Sequence, residues 1–184
     1  MQSPQNELRR VVRELVESER SVDMLAAVDK YFAKDAQIIY PLFNSPRASG
    51  VEGVKAAYKM LRVLTYGNRM ELNVLAFDRI RTIKGVEHQS GFLDCVETLK
   101  FRLPLPERLN PSFSIRFLTR IDLRKDSNEL WLVTKQEDSI PSDYASTGLR
   151  LFPFDRQISN LIKFTTGLGT LVVGSLLARL NWLY

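Results

Sequence analysis

The sequence has one cysteine and one histidine in 184 residues. The lone Cys95 rules out an internal disulfide and fits a domain facing the reducing cytosol. With His88 as the sole imidazole, the chain lacks the ligands of a transition-metal site, so neither metal nor cofactor is expected. It also lacks a Gly-rich phosphate loop, a nucleophile elbow and a paired cysteine motif. The start, Met1-Gln2-Ser3-Pro4, has no basic stretch followed by an apolar one, so no secretory signal is read there. Basic residues outnumber acidic ones by 26 to 21, yet they form no tract. Arg9, Arg10, Arg13, Arg79, Arg81, Arg116, Arg120, Arg150, Arg156 and Lys163 are scattered, as on an ordinary solvated surface. The positive excess suits an anionic surface such as a membrane. Nucleic acid is not expected as a partner, because the aromatic neighbours of the basic strand residues, such as Phe117 beside Arg116, fall on the inward face.

Hydrophobic residues make up 45% of the chain and charged ones 26%, enough for a sizeable core and too little charge for wholesale disorder. Leu8, Val11, Val12, Leu15 and Val16 recur at helical spacing, with Asn6 placed to cap that helix. Ser21 can cap a second helix with Leu25, Val28 and Phe32 inside. A short strand is read from Asp35 to Leu42, and Asn44-Ser45-Pro46 and Ser49-Gly50 mark a loop. A third helix presents Val51, Val54, Tyr58 and Leu61, and Gly67-Asn68 is read as its end.

The period then changes to two. One strand runs from about Met70 to Asp78. A longer one, Glu87 to Leu103, puts Leu93, Cys95, Glu97, Leu99, Phe101 and Leu103 on one face. The next places Phe113, Ile115, Phe117, Thr119 and Ile121 inward, with Ser114, Arg116, Arg120 and Asp122 outward. After a turn at Lys125-Asp126-Ser127-Asn128, the last strand covers Glu129 to Asp138. There, simple alternation groups Gln136 and Asp138 with Leu130, Leu132 and Thr134. Helices first and a meander after them indicate an α+β fold with a bent antiparallel sheet, a cone-like half-barrel packed on three N-terminal helices.

That order resembles the nuclear transport factor 2-like superfamily of SnoaL-like cones, which includes ketosteroid isomerase and scytalone dehydratase. The closer resemblance is to its SigF-like branch, described mainly in fungi. It rests on Asp29-Lys30-Tyr31-Phe32-Ala33-Lys34-Asp35-Ala36 running to Tyr40-Pro41, and on Ala56-Ala57-Tyr58 followed by Glu71-Leu72-Asn73-Val74-Leu75-Ala76-Phe77-Asp78. Gln136-Glu137-Asp138 at the end of the last strand and the apolar tail complete it. The resemblance implies the cone fold and transfers no catalytic residue; the single histidine departs from a scytalone-dehydratase-like site.

Two regions are expected, a cone domain over 1–140 and an amphipathic linker with a hydrophobic membrane-association segment over 141–184. Residues 164–178 carry no charge. A spanning helix needs about 20 apolar residues, reached here only if Arg179 snorkels. Phe164, Leu168, Leu171, Val172 and Leu176 would meet lipid, with Trp182 and Tyr184 at the interface. A helix folded over the cone, a helix buried in a dimer and a disordered tail are the competing readings. Attachment implies a cytosol-facing endomembrane or lipid-droplet surface. Within the cone, Tyr40, Tyr58, Glu97, Phe101, Ile115, Phe117, Gln136 and Asp138 are the expected pocket. Glu97, Asp138 and Tyr40 are its catalytic candidates, because a carboxylate among apolar neighbours is desolvated and can act as acid or base. The expected partners are membrane lipid and an apolar small molecule, or a second copy docked through the sheet face or the tail helix. A small lyase or isomerase of ketosteroid-isomerase-like type is the alternative function.

Overall fold

The computed structural model describes residues 1–40, 43–104 and 109–140, together with residues 154, 157, 158, 160–162, 164 and 165. The first helix, α1 (Pro4–Glu17), begins with a proline, whose missing N–H is no loss in the first turn. Glu7 reaches back, its Oε1 accepting the N–H groups of Gln2 and Ser3 at 2.7 and 2.8 Å. The helix therefore starts ahead of the expected Asn6 cap. It buries Leu8, Val11, Leu15 and Val16.

The second helix, α2 (Ser21–Tyr31), buries Met24, Ala27, Val28 and Tyr31; of the expected stripe, Val28 and Phe32 are in the core and Leu25 is partly buried against it. It packs against both α1 and α3 (Gly50–Leu64), which turns the face centred on Met24 and Val28 inward. Phe32 has already left the helix and opens β1 (Phe32–Tyr40). A short β2 (Phe43–Asn44) follows, then a single 3-10 turn over Arg47–Ser49 that leads into α3. Val54 and Tyr58 are buried on α3, flanked by the half-buried Val51 and Leu61.

The third strand, β3 (Thr65–Phe77), begins immediately after α3. Gly67-Asn68 is thus a feature of the strand and not the end of the helix. Tyr66 pairs with Lys100 and Arg69 with Thr98, so β3 carries one extra residue there, a bulge that Gly67 accommodates at φ +59°. The helix stops because Thr65 turns back on it, its Oγ1 donating to the carbonyl of Leu61 at 2.6 Å. Asn68 Nδ2 in turn donates to Thr65 Oγ1 at 3.0 Å.

The remaining strands are β4 (Arg81–Ile83), β5 (Val86–Phe101), β6 (Ser112–Lys125) and β7 (Trp131–Ser139). Asp126 shapes the β6–β7 turn, its Oδ1 accepting the N–H groups of Asn128 and Leu130, both at 2.8 Å. The sheet order is β2-β1-β7-β6-β5-β3, with β4 also paired to β5. Every pairing is antiparallel except β1 with β7, which is parallel. β1 enters from α2 and must run beside β7, whereas the long strands follow one another by hairpins.

The fold is α+β, the helices covering the concave face of the sheet. Among the described residues, that face carries Met70, Leu93, Cys95, Leu99, Ile115, Phe117, Ile121 and Leu123, all buried. Each large apolar side chain removed from water there is worth about 1.5–3 kcal/mol. The opposite face keeps the expected polar alternation. Arg116 forms a two-pronged ion pair with Asp94, at 2.8 and 2.6 Å, and the Arg120 guanidinium lies over the Phe92 ring. Leu118 stands exposed between the two arginines. Phe154, Ile158, Leu161, Ile162 and Phe164 are exposed in the tail. Among the described residues no helix is long and apolar enough to cross a membrane. The remaining tail positions expected to meet lipid (Leu168, Leu171, Val172, Leu176, Trp182 and Tyr184) lie outside the described residues.

Two glycines separate backbone strain from steric room. Gly50 sits at φ +52°, and a Cβ there would meet the Lys34 carbonyl oxygen at 2.2 Å. Gly67 has φ +59° with nothing within 4 Å. Gly67→Ala should cost about 1 kcal/mol of strain, and Gly50→Ala on the order of 3 kcal/mol because backbone must also move. Urea denaturation of both variants reads the difference; equal losses would mean that the contact with β1 is not rigid.

Candidate functional site

Between α1, α3 and the concave face of the sheet lies a cavity of about 310 Å³, at the small end of the range for small-molecule sites. All eight expected pocket residues line it: Tyr40, Tyr58, Glu97, Phe101, Ile115, Phe117, Gln136 and Asp138. Leu8, Val11, Leu15 and Val16 of α1 form the opposite wall. Met60 and Leu64 of α3 line the cavity and are also half exposed, each at 47%, so they belong to its rim. The Tyr40 ring leans on Phe117 with centroids 5.5 Å apart, and Phe32 meets Tyr58 edge-on.

Glu97 faces this cavity because β5 alternates without interruption from Leu93 to Leu99. Its ladder neighbours are Met70 on β3 and Ile115 on β6, neither of which can donate a hydrogen bond. The side chain is 4% exposed, and its buried Oε1 has no hydrogen-bond partner. Burial first, and the nearby Asp138 carboxyl second, push the Glu97 carboxyl up to about 7.

Asp138 reaches the same cavity by a route that simple alternation misses. Leu123 pairs with Val133 while Asp122 pairs with Lys135, so Thr134 is an extra residue in β7. Its Oγ1 donates to the Asp122 carbonyl at 3.0 Å. This bulge moves Gln136 and Asp138 onto the face of the buried Trp131 and Val133, away from the expected grouping with Leu130, Leu132 and Thr134.

Unlike Glu97, Asp138 is supplied with donors. Thr119 Oγ1 donates to its Oδ1 at 2.5 Å and Gln136 Nε2 to its Oδ2 at 2.9 Å. Tyr58 Oη donates to Gln136 Oε1 at 3.1 Å, which fixes the amide orientation. Burial raises the Asp138 carboxyl, and the two donors oppose that rise in part. Burial also pushes both phenols, Tyr40 and Tyr58, above their ordinary value, and the Cys95 thiol up to about 11. These three groups therefore stay protonated near neutrality, and Glu97 is the lining group that titrates there.

Thr119 was legible as an inward residue but not as part of the site. Its role needs the register Thr119↔Asp138, a pairing between strands that alternation within one strand does not reveal. Glu97 can accept or release a proton near neutral pH, and Asp138 anchors a hydrogen-bonded relay out to Tyr58. His88 stands elsewhere, opposite Arg81 and Arg124 at the far end of β5. Among the described residues no cluster of three or more His, Cys, Asp or Glu is placed to hold a metal ion.

The sequence matches the SigF NTF2-like domain over residues 1–182. The chain belongs to that family. The match of this SigF NTF2-like domain runs through the cone and nearly all of the tail. No curated protein is found to match the sequence. Similar solved structures share the cone at low identity. A nuclear transport factor 2-like superfamily protein from Salmonella enterica serovar Typhimurium LT2 is 13% identical, with a TM-score of 0.57 over 74% of this chain and 90% of that one. ActVI-ORFA from Streptomyces coelicolor is 10% identical, TM-score 0.53, covering 76% and 98%. A type 2 hexachlorocyclohexane dehydrochlorinase (LinA) is 14% identical, TM-score 0.52, covering 76% and 90%. At such identities the likeness concerns the fold alone.

The buried carboxyl has a measurable cost. A carboxyl raised in the folded state contributes stability that is fully present below its unfolded value near 4.5 and is lost as pH rises through about 7. Glu97→Gln should therefore be more stable than the parent at pH 8, by on the order of 3 kcal/mol at most, with the gap closing by pH 4.5. Thermal melts at pH 4.5, 6 and 8 decide it; a variant that loses stability equally at all three would show that Glu97 is not held as described.

Proposed function

We propose that this SigF NTF2-like domain binds an apolar small molecule in its cavity while resting on a cytosol-facing membrane. The observation that carries the binding reading is the cavity itself, a chamber with almost wholly apolar walls closed over a single unpartnered carboxyl oxygen. A cone with a filled interior would have no use for Glu97 on its inward face. An apolar ligand with one polar group fits such walls and gives Glu97 Oε1 the partner it lacks.

Membrane association is supported by the tail. Phe154, Ile158, Leu161, Ile162 and Phe164 are 54–72% exposed, and the uncharged stretch 164–178 follows. Surface of that kind calls for lipid or protein cover. Arg150, Arg156 and Lys163 precede it in the chain, where each can contribute up to about 1 kcal/mol against anionic headgroups.

A second reading has its own observation. A carboxyl held at about 7 inside a cavity has the value suited to a general base at neutral pH, as a small lyase or isomerase needs. If Glu97 serves this role, the protein should catalyse deuterium exchange beside the carbonyl of an apolar cyclic ketone in D2O. The rate should rise through pH 7 and vanish in Glu97→Gln; a binding protein without catalysis would leave the ketone unlabelled.

Two measurements test the main reading. Binding of a neutral apolar fluorophore should weaken at least about tenfold in Phe117→Asp, which places a charge in the cavity wall, and persist in Leu118→Asp on the outer face. Equal binding by both variants would place the dye elsewhere. In cell fractionation the full chain should pellet with membranes and a chain ending at residue 153 should not; identical distributions would remove the membrane half of the proposal.

A further inference from the structure

The charge inside the cavity is one-sided. The chain as a whole is basic, with 26 lysines and arginines against 21 acidic residues. Yet among the described residues that line the cavity there is no lysine, arginine or histidine, and the two ionisable carboxyls are Glu97 and Asp138. They differ in what they lack. Asp138 has a donor on each oxygen, from Thr119 and Gln136, whereas Glu97 Oε1 is buried without any. A buried carboxylate without donor or counter-charge is costly, and truncated polar surroundings do not compensate it. A ligand can remove that cost by bringing the missing positive charge.

We infer that the cavity is built for an apolar molecule carrying a protonated amine, whose ammonium group pairs with Glu97 and Asp138. This deepens the ligand-binding reading above and rests on it. A primary ammonium brings three N–H donors. One can meet Glu97 Oε1, and the others can reach the spare acceptor capacity of Asp138. The Tyr40 and Phe117 rings, which lean together in the same chamber, present faces that favour a cation. An anionic amphiphile meets two carboxyls and no cation, and is excluded. A neutral alcohol satisfies Glu97 but leaves the negative charge uncompensated.

The groups facing Glu97 make the pH response readable. β1 contributes Tyr40, α3 Tyr58, β5 Cys95 and β7 Asp138, while β6 contributes Thr119, Ile115 and Phe117, β3 Met70, and α1 only aliphatic side chains. The phenols and the thiol stay protonated between pH 6 and 8, as does an alkylamine, whose ordinary value is about 10. An arriving ammonium stabilises the ionised form of Glu97, so its proton leaves to the buffer as the complex forms. Amine affinity therefore rises with pH. A carbonyl ligand, which accepts a hydrogen bond from protonated Glu97, would show the opposite slope.

Calorimetric titration of the full chain with octylamine, 1-octanol and octanoate, at pH 6, 7 and 8 and in two buffers of different ionisation enthalpy, tests this. Octylamine should bind at least about tenfold tighter than 1-octanol, the value of a charge-assisted pair, with octanoate weakest. Its affinity should increase up to about tenfold between pH 6 and 8, with release of a proton. Glu97→Gln should abolish the amine preference. Because its tail is untouched, that variant also separates cavity binding from adsorption on the tail, and Asp138→Asn serves the same purpose should Glu97→Gln not fold. Octanol binding as tightly as the amine, amine affinity falling with pH, or a preference surviving in Glu97→Gln overturns the inference and leaves the ligand-binding reading standing. Failure of all three compounds to bind overturns both.

Discussion

Every second side chain of β5 has to face the helices, and Glu97 is one of them. A strand in a sheet covered on one side cannot excuse a single residue from that rule without a bulge, and β5 has none between Leu93 and Leu99. The carboxyl is therefore carried into an apolar chamber among Met70, Ile115 and Phe117. Its raised protonation and the charge character of the cavity follow from that placement.

The contrast between the two carboxyls gives the site its character. Asp138 was delivered by a bulge and arrives with partners: Thr119 beside it in the ladder and Gln136 two residues back, itself held by Tyr58. Glu97 was delivered by plain alternation and arrives with none. A protein selected for stability alone would place leucine at 97, since an unpaired buried polar group costs about 1–3 kcal/mol and an apolar replacement of similar shape costs little. Groups held away from their ordinary protonation in a cavity are where function concentrates.

Membership of the SigF NTF2-like family and likeness to distant cones describe the scaffold and not the ligand. Such scaffolds host unrelated activities, and what distinguishes one from another is the set of polar groups on the concave face. Here that set is two acids, two phenols, two threonines, a glutamine and a thiol, without a cation among the described lining residues. The outer face of the sheet is of another kind, with its charges paired across strands and Phe92, Leu118 and Val74 exposed between them.

Much of this was written into local pattern. The inward set on β5 and β6, the stripe on α1 and the buried Val54 and Tyr58 of α3 follow from periods of 3.6 and 2, which depend only on backbone geometry and residue type. Tyr58, Glu97, Phe101, Ile115 and Phe117 line the cavity for the same reason, whereas Gln136 and Asp138 reach it through a bulge. What the sequence could not determine by itself were matters of pairing. The bulge at Thr134 that turns Asp138 inward, the extra residue near Gly67 inside β3, the parallel run of β1 beside β7 and the Thr119–Asp138 contact each require a neighbouring strand to be in place. The wider buried face of α2, which adds Met24, Ala27 and Tyr31 to Val28, required two flanking helices. Alternation says which residues share a face; only the assembled sheet decides which face looks inward after a bulge, and which polar groups find one another there.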